Sequence, residues 1–349
     1  VAFRRGKKRP GKKRSGNGIA EITMKAMVCN EFGPIETLAL SDMPLPEAGP
    51  GSVLIDVAAA GVNFPDGLMV QGKYQVKPPR PFVPGSEVAG IVRAVGAGVD
   101  NVRPGDRVAA FCGIGAYAEV VCAPATQVYL LPEAIDFTAA AGFLITYGTS
   151  YHALKDRARL KPGETLLVLG AAGGVGLTAV ELGALMGARV IAAASSADKL
   201  ALAKQYGAEA TIDYSNEDLR ERIKALTENR GIDVVYDPVG GERAEVALKN
   251  LAWGGRQLVV GFAAGDIPKL PANWLLLKSA DLLGVLWGAS LKADPAHHAR
   301  NIDALFGFYA AGKLRPHIGD TFPLARAVAG LQRVMQRQAR GKVILTIDR

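Results

Sequence analysis

Thiols are scarce in this chain. Its 349 residues include three cysteines, Cys29, Cys112 and Cys122, and no CxxC pair. An odd, scattered set excludes a thiol-rich zinc lobe and fits a reducing, cytosolic setting. Histidine is hardly more frequent. His152, His297, His298 and His317 show no metal-ligand spacing. His297-His298 falls at an expected helix start, where a solvated pair is the expectation. No uninterrupted apolar run approaches the roughly 18 to 20 residues of a membrane span.

Acidic residues are nearly missing from one stretch. Residues 1–23 carry eight Lys and Arg against Glu21, so this segment holds +7 of the chain's formal +8. The remainder is close to neutral. The segment lacks the apolar stretch of a secretory signal and the amphipathic face of a transit peptide. Nucleic-acid binding through it is one reading. A disordered tail is a blander one. The favoured reading is that Met24 is the natural start, because Met24-Lys25-Ala26 opens a clean strand pattern.

What is abundant is glycine and βα alternation. Leu166 to Leu169 reads as a buried parallel strand. Gly170-Ala171-Ala172-Gly173-Gly174-Val175-Gly176 follows, then a helical stretch from Leu177 and a second apolar run, Ala188 to Ala194. This is one βαβ unit. Its turn fits the dinucleotide fingerprint with Ala171, Gly173 and Gly176 in the glycine places. Small residues there allow a tight turn, close approach to a pyrophosphate and helix packing on strand. The helix N-terminus, at Gly174 and Val175, offers N–H groups to the phosphates.

The end of the second strand selects the cofactor. An NAD site has an acidic residue about 20 positions beyond the fingerprint. Ser195 stands there, followed by Ser196 and Lys199. A carboxylate repels a 2′-phosphate, whereas hydroxyls and an ammonium bind one. Tyr214, at the end of the next expected strand, can donate its phenol to the same group. The reading is NADPH over NADH. N-capping of the following helix by the two serines and a solvated Lys199 are the plainer alternatives.

Along the chain, strands are expected at 25–33, 38–41, 52–59, 85–95, 107–111, 115–123 and 127–131, with a short helix within 61–72. From Asp136 a helix to about 158 opens βα alternation. Six strands follow, at 166–169, 190–194, 210–213, 233–236, 256–260 and 282–286. The expected class is α/β, a β-rich domain followed by a doubly wound sheet. Helices near 295–311 and 324–339 and a last strand, 342–347, are surplus to that sheet and are expected to return to the first domain.

Several stretches carry a resemblance: MKAMVCNEFGP, GVNFPDGLMVQGKY, VPGSEVAGIVRAVGAGVDNVRPGDRV, GAYAEVV, YGTSYHAL, LVLGAAGGVG and GKVIL. In that order and spacing the chain resembles the medium-chain dehydrogenase/reductase superfamily, in its zinc-free quinone oxidoreductase (zeta-crystallin-like) branch. The resemblance covers residues 24–349. It implies a GroES-like catalytic domain from 24–134 and 290–349, and a Rossmann NADPH domain at 135–289. It also implies a homodimer, for which Leu282 to Trp287 offers an apolar edge.

Zinc-dependent relatives have Cys where this chain has Asn63 and His where it has Ser86, so no metal is expected. The resemblance puts Asn63 at the junction of nicotinamide and substrate, where its amide can donate to a carbonyl oxygen gaining charge. Holding the turn before Phe64-Pro65 is the plainer role. Tyr74 matches a substrate-side tyrosine and is either a donor or an apolar wall. Leu68 replaces a further tyrosine of some relatives. Thr149 matches a residue near the carboxamide of the cofactor, and Phe262 lies in a loop whose backbone runs beside the nicotinamide. Arg337 takes the place of an arginine near the 2′-phosphate, with Arg333 and Arg340 competing for the register. Asp237, before Pro238, reads as turn chemistry. The expected substrate is a quinone, the alternative an activated double bond in an enone, alkenal or enoyl-CoA thioester. Nucleic-acid binding by the tail ranks last.

Overall fold

Glycine-punctuated apolar runs build two large sheets, beside a two-stranded one of Thr23–Val28 and Ala39–Pro44, in the computed structural model, which describes residues 23–347. The readings made on the basic segment, residues 1–22, lie outside the described residues. The first sheet centres on Ser52–Val62. This strand is mostly Val, Ile, Leu and Ala, with Val53, Ile55, Val57 and Ala60 fully buried and Leu54 and Ala59 nearly so, so both of its faces are covered. Glu87–Val95 and Val120–Pro124 pair with it antiparallel. Arg107–Phe111 and Val128–Leu130 extend the sheet on one side. Lys342–Thr346 closes the other side, antiparallel to Ser52–Val62, with Ile318–Pro323 beyond it. The end of the chain therefore packs into the sheet begun by its start.

The second sheet is parallel throughout. Its order is Ala210–Asp213, Arg189–Ala194, Thr165–Leu169, Ile232–Asp237, Leu251–Val259, Asp281–Gly284. Strand order reverses beside Thr165–Leu169, which opens a crevice at the carboxyl ends of the strands. Leu166 to Leu169 and Val190 to Ala193 are buried completely, as near-continuous apolar runs of parallel strands should be.

The helix expected from Asp136 to about 158 is interrupted. Phe137–Ala141 starts with Asp136, whose carboxylate accepts the Ala139 N–H at 2.8 Å. The chain then breaks at Gly142, where a Cβ would lie 2.6 Å from the Lys342 side chain. Leu144–Tyr151 resumes and loosens into a π-turn over His152–Arg157. That turn overturns the solvated histidine pair. Asp156 Oδ2 lies 2.9 Å from both His152 Nδ1 and His297 Nε2, and His298 is 2% exposed. Burial, then the neighbouring His152 and His297, push the His298 imidazole down to about 4.

Close strand contact gives a direct test. A Cβ at Gly90 would sit 2.0 Å from the Asp56 carbonyl oxygen on the central strand. Backbone cannot move aside as a side chain can. Gly90→Ala is expected to cost about 2 kcal/mol or more in denaturant unfolding. An unchanged midpoint contradicts this packing.

Candidate active site

The glycine turn sits at the crevice. Gly170 leaves the Thr165–Leu169 strand with φ +60°. The Ala171 N–H donates to the Ala193 carbonyl at 3.1 Å, and Ala171 is wholly buried. Gly173 caps the Gly174–Leu185 helix without a side chain. At Gly176 a Cβ would come within 2.2 Å of the Gly170 carbonyl oxygen, so only glycine allows the helix to lie this close to the strand. The first-turn N–H groups of this helix have no partner within it. Gly173, Gly174, Val175 and Gly176 line a cavity of about 1290 Å³, as do Gly170 and Ala172, whereas the expected Ala171 does not. The lining carries six cationic side chains, Lys77, Lys199, Arg243, Lys292, Arg337 and Lys342, and no carboxylate. That charge balance suits a polyanion.

At one end the cavity is lined by Ser195, Lys199, Tyr214 and Arg337. Lys199 Nζ donates to Ser195 Oγ at 3.2 Å and to the Arg337 carbonyl at 2.9 Å. Burial, then Arg337 and Arg340, lower the Lys199 ammonium from its ordinary value. Burial raises the Tyr214 phenol, which therefore stays protonated as a donor. Ser196 does not line the cavity; it stands as the N-cap of Ala197–Gln205, with no side-chain cap bond. The three competing arginines separate. Arg333 is held by both oxygens of Asp320, Arg340 lies 4.0 Å from Asp198, and Arg337 alone lines the cavity. Arg243, which no motif signals, lies 4.1 Å from the Tyr214 ring.

Asn63, Tyr74, Thr149 and Phe262 line the same cavity. Asn63 begins the Phe64–Val70 helix, its N–H donating to Asp66 Oδ2 at 2.9 Å. Its amide is engaged as well. Nδ2 donates to Glu87 Oε1 at 3.0 Å, and Oδ1 accepts from Lys342 Nζ at 2.6 Å. Ser86 Oγ and the Tyr117 hydroxyl donate to Asp66, at 3.0 and 2.9 Å. Thus the two places that hold zinc ligands in other chains are tied into hydrogen bonds here. Among the described residues no group of three or more His, Cys, Asp or Glu is arranged to hold a metal ion. Asp237 accepts the Val239 and Gly240 N–H groups, which is turn chemistry. Burial, then the Asp66 charge, hold the Tyr74 phenol above its usual value.

Asp66 is fully buried, and burial pushes its carboxyl up to about 6 against its three hydrogen bonds. With the folded-state value above the unfolded one, the protonated form favours the fold. This contribution is complete below about pH 4 and is lost as pH rises through the folded value. Relative to Asp66→Asn, the wild type is expected to lose on the order of 3 kcal/mol of stability between pH 4 and 7. A pH-independent difference in chemical unfolding contradicts the assignment.

Comparison with known proteins places the chain. The family profile for zinc-binding dehydrogenases matches residues 174–301, and that for the alcohol dehydrogenase GroES-like domain matches 49–133. A quinone oxidoreductase-like protein 2 homolog of Nematostella vectensis is 41% identical over 325 residues, 92% of this chain and 88% of that protein. A mycobacterial structure complexed with NADPH superposes with a TM-score of 0.87 at 33% identity, covering 93% of this chain and 99% of the other. Escherichia coli quinone oxidoreductase, also complexed with NADPH, gives 0.86 at 29% identity and the same coverage. The chain therefore belongs to the medium-chain dehydrogenase/reductase superfamily and is an enzyme of its zinc-free quinone oxidoreductase type.

Proposed function

We propose that this enzyme is an NADPH-dependent reductase of quinones. The observation that carries the reading is the cavity itself: a glycine turn, six cations and no carboxylate around one cleft. NADPH complexes of two structural relatives support the same cofactor. The pyrophosphate is assigned to the N–H groups of Gly174, Val175 and Gly176 at the start of the helix. Ser195, Lys199, Tyr214 and Arg337 are assigned to the 2′-phosphate, with Ser196 behind them as the helix cap. Thr149 and Phe262 flank the nicotinamide. When bound, NADPH supplies the hydride. The protein then has to orient the acceptor and exclude water. The Asn63 amide is assigned to the acceptor oxygen, which gains charge as reduction proceeds. A quinone becomes an aromatic phenolate, so no strong protein acid is needed. Zinc has no part in this scheme, because Asn63 and Ser86 supply an amide and a hydroxyl where ligands are required.

Tyr74 supports a second reading, reduction of activated double bonds in enones, alkenals or enoyl-CoA thioesters. Such a reaction needs a proton at the α-carbon, and the Tyr74 phenol, lining the cavity and kept protonated, is a donor for it. Turnover of a quinone against an enone and an enoyl-CoA with NADPH separates the two.

The enzyme is proposed to be a homodimer in the cytoplasm. Asp281–Gly284 is an edge strand, with Leu282 39% and Leu286 55% exposed, and Leu276 and Leu277 stand out nearby. An apolar open edge of this kind favours pairing with a second copy. Light scattering at micromolar concentration is expected to give twice the 36.6 kDa chain mass; the monomer mass contradicts it.

Lys199→Ala is expected to raise the KM for NADPH about tenfold, with NADH unaffected and kcat nearly constant. The phosphate lies far from the reacting carbon and binds alike in ground and transition states. Equal weakening of both cofactors removes the phosphate assignment.

A further inference from the structure

The closing GKVIL segment enters the reading above only through Lys342 as one of the lining cations, and that lysine is also bound to Asn63. Lys342 is 5% exposed and its partner Glu87 1%. Lys342 Nζ is paired with Glu87 Oε1 and also donates to Asn63 Oδ1. The same Glu87 oxygen accepts one Asn63 amide hydrogen. The other amide hydrogen reaches only toward the Gly61 carbonyl, at 3.4 Å, near the limit of a hydrogen bond. Glu87 Oε2 accepts the Ile145 N–H.

This arrangement fixes the amide. An ammonium only donates and a carboxylate only accepts. Flipping the Asn63 carboxamide would set its NH₂ against the ammonium and its oxygen against the carboxylate. The cation does more than orient. A positive charge on the amide oxygen draws electron density from nitrogen, so the remaining N–H becomes a stronger donor. That hydrogen is the loosely held one, on a residue that lines the cavity.

Lys342 is also tied to the cofactor turn. The Gly341 N–H donates to the Ala172 carbonyl at 2.7 Å. Gly341 has φ +68°, and a Cβ there would fall 2.5 Å from the His317 carbonyl oxygen. The segment is therefore pinned at the glycine turn on one side and at Asn63 on the other.

We propose that Lys342 is a positioning residue for the reduction, acting through Asn63: it locks the carboxamide and strengthens the N–H held only loosely by Gly61 as the donor to the acceptor oxygen. This rests on the assignment of Asn63 to that oxygen under the proposed function.

Lys342→Met removes the charge and keeps the length of the stem. Three readouts apply. In the cofactor-free protein, the Asn63 side-chain amide signals, assigned by their loss in Asn63→Ala, are expected to move by NMR. With a quinone, kcat is expected to fall about tenfold or more, while NADPH affinity by fluorescence stays within about twofold. In the Asn63→Ala background, Lys342→Met is expected to change kcat less than about twofold, because its effect passes through the amide. If Lys342→Met does not fold, Lys342→Met/Glu87→Gln removes both charges together and is measured in the same way. Unmoved amide signals, or losses that multiply in the double variant, overturn the proposal. Absence of wild-type turnover with any quinone or enone instead overturns the functional reading beneath it, and the amide signals still report whether Lys342 governs Asn63.

Discussion

A buried ion pair, Lys342 with Glu87, joins parts of the chain that sequence separates by 255 positions. Such a pair is costly to desolvate and persists only when its remaining polar atoms are satisfied. Here they are. Asn63 takes one hydrogen bond from Lys342 and returns one to Glu87, while Ile145 donates to the second Glu87 oxygen. Four segments consequently meet at one point: the helix start after the central strand, the next strand, the helix leading to the parallel sheet and the closing strand. Loss of one charge would leave the other buried without a partner.

The rest of the site hangs from this junction. Gly341 links the closing strand to the glycine turn, and Asn63 passes the same constraint to Asp66, Ser86 and Tyr117. Charge is divided along the cleft. Lys199, Arg337 and Arg243 stand near the expected 2′-phosphate, while the carboxylates of Asp66 and Glu87 do not line the cavity and are each held by hydrogen bonds. A polyanion can therefore approach without meeting an exposed negative charge, although the chain outside the basic segment is nearly neutral.

Local chemistry was legible in the sequence. The turn from Gly170 to Gly176 shows itself because strand, glycine spacing and helix are contiguous, and Ser195 because its offset from that turn is short. Both sheets were readable from apolar runs. The helix from Asp136 was read as one piece, because the contact that requires glycine at its break, Lys342 against Gly142, comes from far along the chain. The same nonlocality hid Arg243 on Tyr214, and the partnership of Lys342 with Glu87. His297-His298 misled for a related reason. A histidine pair at a helix start reads as solvated until the π-turn at 152–157 brings Asp156 against it. Family resemblance supplied Asn63 and Tyr74, which composition and periodicity do not single out.

The central claim is that one cleft binds a dinucleotide through its phosphates and favours the 2′-phosphate. Direct titration of the full chain with NADPH and NADH, followed by cofactor fluorescence or calorimetry at fixed salt, tests it most directly. One charge-assisted contact contributes about 1.5 to 3 kcal/mol, so NADPH is predicted to bind about tenfold tighter or better. Equal affinities for the two cofactors, or no binding of either, would contradict the account.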